Sequence, residues 1–486
     1  MKLHDLLPQE EYINSSFNPE VEIKGITTVP TDVEEGFLFV LENARHMPKA
    51  SCFKTLPLAI VTDDLSIISD KIPYVLTENA RKASATIHSN FWEINYSSLK
   101  IIGVTGTNGK TSTSYMIYRI ILESLGNCGF IGSGLIEING KKISDSTYSM
   151  TTPDTSKLYK TIRKMQDEGC AYIVMEVSSH ALTLNKVSKI PFEYGIFTNL
   201  SHEHTDFHNS IEEYFNAKMT LLKSAKKVII NIDDFYARQA LSKLKSNVIT
   251  IGVLWQGDYY ATHIESRGFE GTTYFMHTDK ICYKATLRFP GIYNVYNSML
   301  AQAVCIDLKI PPCTVKRALS NIQKIKGRFD VITDSVKVII DYAHTPKAYE
   351  TFLQSLYSIK GLSKLTVVFG CGGDRDKSKR PLIASIVEKY ADRIILTEDN
   401  SRKEALDSIL NDIKNGFKNK KYEIIPDRSK AIRKAVLSSQ KNDIVAIIGK
   451  GCEEYNIKGD TYSPYNDKIE AANALYEYKE HIKNEN

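Results

Sequence analysis

The sequence predicts an α/β protein of three domains: a central domain on a parallel sheet, a Rossmann-like C-terminal domain and a small N-terminal α/β domain. Three observations predict it. Strand-like apolar runs alternate with helix-length segments along most of the chain, the pattern of parallel α/β sheets. At 486 residues the chain exceeds what one hydrophobic core holds, since domains usually stop growing at about 250 residues. A glycine-rich loop ending in Gly109-Lys110-Thr111 stands between a predicted strand and a predicted helix.

In chain order, short strands are expected at residues 37–41 and 58–62, with a break near Tyr96-Ser97-Ser98 closing a first domain at residue 99. A strand over 99–105 leads into the glycine loop. The helix after it carries Met116, Ile117, Ile120, Ile121 and Leu125 at helical spacing, and Gly126 is placed to end it. Buried strands are expected at 172–177, 194–198 and 228–231, all in one unit of residues 100–328. A third set, at 336–340, 365–370, 393–397 and 443–448, forms a domain of residues 329–486.

Composition narrows the function. Apolar residues at 42% and charged residues at 24% describe an ordinary globular protein. The net charge of +5, from 62 basic and 57 acidic residues, suits anionic substrates but leaves no basic stripe for nucleic acid. Lys418, Lys420 and Lys421 read as solvated surface. Eight cysteines without CxxC spacing read as scattered reduced thiols rather than disulfides or a zinc site. The stretch from Met1 to Glu11 lacks an apolar core, and no run approaches the roughly 18 apolar residues of a membrane span. A cytoplasmic protein with no membrane partner is expected.

The loop Gly103-Val104-Thr105-Gly106-Thr107-Asn108-Gly109-Lys110-Thr111-Ser112 has the chemistry to hold a triphosphate. Small residues let backbone N–H groups turn inward, the helix N-terminus adds partial positive charge, Lys110 reaches the outer phosphates and Thr111 is a Mg²⁺ ligand. Gly106, Thr107, Asn108, Gly109, Lys110, Thr111 and Ser112 are the candidate nucleotide contacts, on a P-loop ATPase-like sheet. Glu176, ending Ile173-Val174-Met175-Glu176, is placed to hold Mg²⁺ against the phosphates. Three histidines and two carboxylates crowd residues 202–208, but a second ligand pair of zinc-site spacing is missing.

The loop Thr105-Gly106-Thr107-Asn108-Gly109-Lys110-Thr111 resembles the ATP loop of the Mur ligase family, ATP-dependent ligases that build the peptide stem of peptidoglycan. The resemblance implies ATP and Mg²⁺, with a carboxylate activated as an acyl phosphate and then attacked by an amine. It implies that His204 binds a second Mg²⁺ and that Lys218 is carbamylated, joining Lys110, Glu176 and His204 in catalysis and Thr111, Glu176 and His204 around the metals. Without it, Lys218 reads as a surface lysine. The segment Gly291 to Asn297 resembles the family stretch whose asparagines, here Asn294 and Asn297, lie near adenine. Lys326-Gly327-Arg328-Phe329 resembles the inter-domain hinge, with Arg328 on the phosphates, and Asp341 is placed for the ribose.

The loops Gly370 to Pro381, Asp399-Asn400-Ser401-Arg402 and Gly449-Lys450-Gly451-Cys452-Glu453 each follow a predicted strand. Strand C-termini of one parallel sheet converge on one crevice. A guanidinium grips a carboxylate and an acid holds an ammonium, so Arg375, Asp399, Asn400, Arg402, Gly449 and Glu453 suit a zwitterionic amino acid. All three segments resemble the family members that add the third residue to UDP-N-acetylmuramoyl-L-alanyl-D-glutamate. Arg402 points to meso-diaminopimelate as that residue, although Ser401 replaces a proline and Cys452 a histidine of the family pattern.

Thr151, Thr152, Ser178 and Lys186 resemble positions that hold the muramoyl peptide, Lys186 standing for a usual arginine. The N-terminal domain departs more: Val29-Pro30-Thr31 replaces an Asp-Ser-Arg that helps hold uridine. The expected partners are the UDP-linked dipeptide and a free amino acid, met by a monomer. Alternatives are a ligase for another carboxylate, one adding L-lysine or another diamino acid, and a nucleotide-gated binding protein without ligase activity.

Overall fold

The computed structural model describes residues 1–43, 50–67, 72–143, 150–201, 207–208, 210–244, 247–419 and 421–485. Among the described residues the strands gather into three large sheets, of five, eleven and six strands, plus one two-stranded hairpin. The expected α/β class holds throughout.

The central sheet carries a parallel middle. Lys100–Thr105 lies between Tyr172–Glu176 and Phe192–Phe197, with Lys227–Asn231 and Val248–Gly252 continuing on one side and Cys128–Gly132 on the other. These strands bury nearly every residue because helices cover both faces. The helix Lys110–Leu125 buries Met116, Ile117, Ile120 and Ile121 against the sheet. Leu125, expected on the same face, is 45% exposed; it sits in the last turn, where Gly126 at φ 68° already takes the chain out of the helix.

Both flanks of this sheet turn antiparallel. On one side Tyr259–Ser266, Thr272–His277 and Cys282–Leu287 form a meander; on the other come Leu135–Ile138 and Lys141–Lys142. None of these flanking strands is predicted from the sequence. Several of them face solvent on one side, so they lack the continuous apolar run that betrays a buried parallel strand.

In the C-terminal sheet Ile444–Ile448 lies between Lys337–Asp341 and Leu365–Phe369, and Arg393–Leu396 follows. Register aligns the strand ends: Asp341 and Phe369 both face Ile448, and Phe369 faces Leu396. The loops after all four strands therefore leave from one edge. Asp330–Thr333 closes the sheet antiparallel.

A buried arginine braces one of these loops. Arg380 donates to both Glu404 oxygens at 2.7 Å, to Asp412 at 2.8 Å and to the Gly372 carbonyl at 3.1 Å. Hydrogen bonding from Arg380 outweighs burial and holds the Glu404 carboxyl down to about 2, against an ordinary value of 4.5. A depressed carboxylate stabilises the fold above its unfolded pKa and loses that contribution as pH falls through its folded one. Glu404→Gln is therefore expected to lower unfolding free energy at pH 7, the deficit shrinking as pH falls from 4.5 towards 2. Urea titrations across that range read it; a deficit independent of pH would refute the assignment.

The N-terminal sheet, Gly25–Thr27 through Tyr74–Leu76 with Asn14–Ser15 added antiparallel, is tied to the central unit. Lys189 Nζ donates to Glu11 at 2.8 Å, and Gln166 Nε2 donates to the Asn95 carbonyl at 2.8 Å. Among the described residues no helix is long and apolar enough to cross a membrane, and all eight cysteines are free.

Candidate functional site

The glycine loop forms where the strand Lys100–Thr105 hands over to its helix. Gly109, at φ 86°, occupies the left-handed conformation that starts the helix, and a Cβ there would lie 2.4 Å from Asn297 Oδ1. A Cβ on Gly106 would lie 1.9 Å from Thr198 Oγ1. Only glycine fits either position, and the cradle they line is of the kind that receives phosphate. Its wall is hydrogen-bonded to the neighbouring strand end: Thr198 Oγ1 donates to the Asn108 carbonyl at 2.7 Å and Asn199 accepts from the Asn108 N–H at 3.0 Å. Thr107 bonds the next segment, its Oγ1 accepting from the Ser201 N–H at 3.0 Å.

Two lysines point at this loop. Lys110 Nζ donates to the carbonyls of Gly106 at 3.0 Å and Thr107 at 2.8 Å. Lys218, in the helix Ile211–Ser224, is 1% exposed. It donates to the Gly106 carbonyl at 2.9 Å and lies 4.3 Å from the Tyr214 ring centre. The reading of Lys218 as surface is corrected here: the helix packs its Tyr214, Phe215, Met219 face inward and carries the lysine with it. Ser112, in the first helical turn, is buried.

Glu176 is fully buried at its strand end. It accepts from Thr111 Oγ1 at 3.0 Å, from the Ser133 N–H at 2.8 Å and from Ser133 Oγ at 3.2 Å. A carboxylate and a hydroxyl this close supply hard oxygen ligands of the kind Mg²⁺ takes. The peptide-site candidates adjoin it. Thr152 Oγ1 donates to the Glu176 carbonyl at 2.9 Å and accepts from the Ser178 N–H at 3.0 Å, while Thr151 Oγ1 lies 3.1 Å from Ser133 Oγ. Lys186 instead pairs with Asp154 at 2.6 Å. His204 lies outside the described residues. Among the described residues no cluster of His, Cys, Asp and Glu forms a ready metal cage.

Arg328 joins this centre to the C-terminal sheet. Its Nη2 donates to Thr111 Oγ1 at 3.0 Å and its guanidinium lies 4.4 Å from the Tyr342 ring centre. Tyr342 OH in turn donates to Glu453 at 3.4 Å. Asp341 accepts the N–H groups of Phe329 and Ala343, each at 2.8 Å; burial raises its pKa despite the Arg328 charge beside it. Asn297 accepts from Thr113 Oγ1 at 3.3 Å, in the first turn of the helix that follows the phosphate loop. Asn294, one turn earlier, donates to the Pro290 carbonyl at 2.8 Å. The Cys452 thiol donates to the Ser133 carbonyl at 3.8 Å, across the same seam.

In the C-terminal crevice Asp399, Asn400, Gly449 and Glu453 come together. Asn400 Nδ2 donates to Glu453 at 2.7 Å, and a Cβ on Gly449 would lie 2.6 Å from Asp399 Oδ2. Arg402 leans across them, its Nη1 donating to the carbonyls of Gly373 at 2.9 Å and Asn400 at 3.3 Å. Arg375 is exposed on the loop above, with a bond to the Asp374 carbonyl at 3.4 Å. The residues of these clusters that the sequence does not single out include Thr198, Asn199 and Tyr342, together with Ser133, legible only as a small residue after a strand, and Lys450, legible as the lysine inside Gly449-Lys450-Gly451.

The phosphate cradle, the acidic centre and the C-terminal crevice thus share one seam. Residues 104–305 match the Mur ligase middle domain and residues 327–451 the Mur ligase, glutamate ligase domain. The UDP-N-acetylmuramoyl-L-alanyl-D-glutamate–2,6-diaminopimelate ligase of Caldanaerobacter subterraneus subsp. tengcongensis is 38% identical, covering 96% of this chain and 98% of that protein. That of Clostridium acetobutylicum is 39% identical over the same shares. A solved ligase of that name superposes with a TM-score of 0.68 at 25% identity, covering 98% of this chain and 99% of its own. The Mycobacterium tuberculosis folylpolyglutamate synthase complexed with ADP and AMPPCP shares the fold, with a TM-score of 0.64 at 17% identity over 76% of this chain and 92% of its own.

Proposed function

The chain belongs to the Mur ligase family, and from that premise we propose that it adds meso-diaminopimelate as the third stem residue to UDP-N-acetylmuramoyl-L-alanyl-D-glutamate. It is an ATP-dependent ligase of peptidoglycan synthesis, forming an amide through an acyl phosphate. The observation that carries the reading is Arg328, which bonds Thr111 beside Glu176 and packs on Tyr342, itself bonded to Glu453. One side chain thereby couples the phosphate centre to the crevice that would hold the amino acid.

The chemistry follows from charge. An oxygen of the glutamyl carboxylate attacks the γ-phosphorus while the bond to the ADP oxygen breaks, a step that brings two anions together. Lys110, the helix N-terminus and Arg328 offset that repulsion. The amine of the amino acid then attacks the acyl carbon, phosphate departs and the nitrogen loses a proton. Mg²⁺, when bound, would neutralise phosphate oxygens; Thr111 and Glu176 would hold it, with His204 and a carbamylated Lys218 as further ligands. In support, Lys218 is buried beside the phosphate loop, its Nζ on the Gly106 carbonyl.

Gly106 to Ser112, Asn294, Asn297, Arg328 and Asp341 would receive ATP. Thr151, Thr152, Ser178 and Lys186 would receive the muramoyl peptide. Asp399 and Glu453, beside Gly449, would hold the ammonium end of the amino acid, with Asn400 orienting Glu453, and Arg402 and Arg375 would hold its carboxylates. The three functional units divide near residues 99 and 328, and the enzyme acts as a cytoplasmic monomer.

Phosphate release with ATP, the UDP-linked dipeptide and a panel of amino acids tests this. Turnover with meso-diaminopimelate well above L-lysine is expected, because Arg402 and Arg375 offer guanidinium groups to a second carboxylate. Preference for L-lysine would overturn the substrate assignment, and no turnover with any amino acid would overturn the function.

A further inference from the structure

Lys450 is fully buried at the floor of the crevice. Its Nζ donates to Asn400 Oδ1 at 2.7 Å and to the Tyr455 carbonyl at 3.1 Å, and lies 3.5 Å from Asp399 and 3.9 Å from Glu453. Asn400 Oδ1 also accepts the Ile457 N–H at 3.0 Å. Both oxygen lone pairs are then taken, so the amide cannot flip without setting its NH₂ against two donors. Its Nδ2 must face Glu453, where it donates at 2.7 Å.

We propose that Lys450 is the positioning residue of the amino-acid crevice: it locks Asn400 as a donor and balances Asp399 and Glu453, so that both carboxylates can face the ligand's ammonium group. The proposal rests on reading this crevice as the amino-acid site. Two carboxylates in a buried pocket repel each other and tend to share a proton, which spoils a cation-binding site. Burial raises the Asp399 pKa, but Lys450 and Arg428 outweigh it and the net shift is downward. Burial and the Asp399 charge leave Glu453 raised, against the opposing pull of Lys450. The other groups facing Asp399 are Arg402 on its own loop, Tyr349 and Cys371, and those facing Glu453 are Arg402, Tyr342 and Cys452.

Lys450→Met tests it in the full-length enzyme. The KM for meso-diaminopimelate is expected to rise at least about 30-fold, the low end for truncating one partner of a buried charge pair. The KM values for ATP and the UDP-linked dipeptide should stay within about twofold, as for loss of an interaction with one substrate alone. The acid limb of kcat/KM for the amino acid should move to higher pH, since removing a cation raises neighbouring carboxylate pKa values. A purely structural lysine would affect all three substrates alike and leave that limb in place. Should the methionine variant not fold, Lys450→Gln, one atom shorter, keeps a hydrogen-bond donor without the charge and gives the same comparison. Wild-type turnover with an unchanged amino-acid KM in the variant overturns this proposal alone; no wild-type turnover removes the site reading and the proposal together.

Discussion

Lys110→Ala is expected to lower kcat by about 10³-fold or more, the scale for removing a preorganised charge from a phosphoryl-transfer centre. The wild-type ammonium sits over the loop it starts from, bonded to the Gly106 and Thr107 carbonyls. From there it needs only a side-chain rotation to meet phosphate oxygens lying in the cradle. The loop itself does not depend on that ammonium for its shape, because Asn199 and Thr198 hold Asn108, and Gly106 and Gly109 set the backbone. The variant should therefore fold normally and keep most of its affinity for ADP, losing turnover rather than structure. Phosphate release at saturating substrates reads the first effect and calorimetric ADP binding the second. Turnover within tenfold of wild type would end the assignment of Lys110 as the charge that lets two anions meet.

The second large effect falls on stability. Arg428 is fully buried and donates to both oxygens of the equally buried Asp467 at 2.8 Å, to the Glu398 carbonyl at 3.2 Å and to the Ile448 carbonyl at 3.1 Å. Those two carbonyls precede Asp399 and Gly449, so one guanidinium ties together the ends of the strands Arg393–Leu396 and Ile444–Ile448 beneath the crevice. Arg428→Leu leaves an uncompensated buried carboxylate and is expected to cost about 3–5 kcal/mol. For a domain of this size that is a fall in Tm of about 10 °C. Arg428→Leu combined with Asp467→Leu should recover a large part of the loss, because no orphan charge remains. Urea denaturation of the two variants measures both. A double variant no more stable than the single one would show that the carbonyl bonds, and not the ion pair, carry the stability.

Both effects bear on what the chain alone discloses. The phosphate loop is legible because its chemistry is local: glycines, a lysine and a threonine within one turn, between a strand and a helix. Glu176 is legible for a related reason, since it ends an apolar strand beside that loop. The parallel strands, buried on both faces, print continuous apolar runs such as Ile173-Val174-Met175 and Ile444-Val445-Ala446-Ile447-Ile448. The fold class and four parallel strands of each main sheet follow from those runs. Ends differ by one or two residues, because hydrogen bonding rather than hydrophobicity sets where pairing stops.

Other features depend on contacts between residues far apart in sequence, which no local pattern encodes. The antiparallel meander over Tyr259–Leu287 presents half-exposed faces and blends with loop-like polarity. The burial of Lys218 arises because the helix Ile211–Ser224 packs beside the glycine loop, more than a hundred residues upstream. Ser133 becomes a partner of Glu176 across 43 positions, and Lys450 of Asn400 across 50. By itself the sequence determined the α/β class, the phosphate loop and the kinds of side chain available for ligation, because each is written in periodicity or in a short contiguous motif. Only the tertiary structure decided which charges are buried, which partners hold them and which way the Asn400 amide points, because burial and pairing are set by chain segments that meet only when folded.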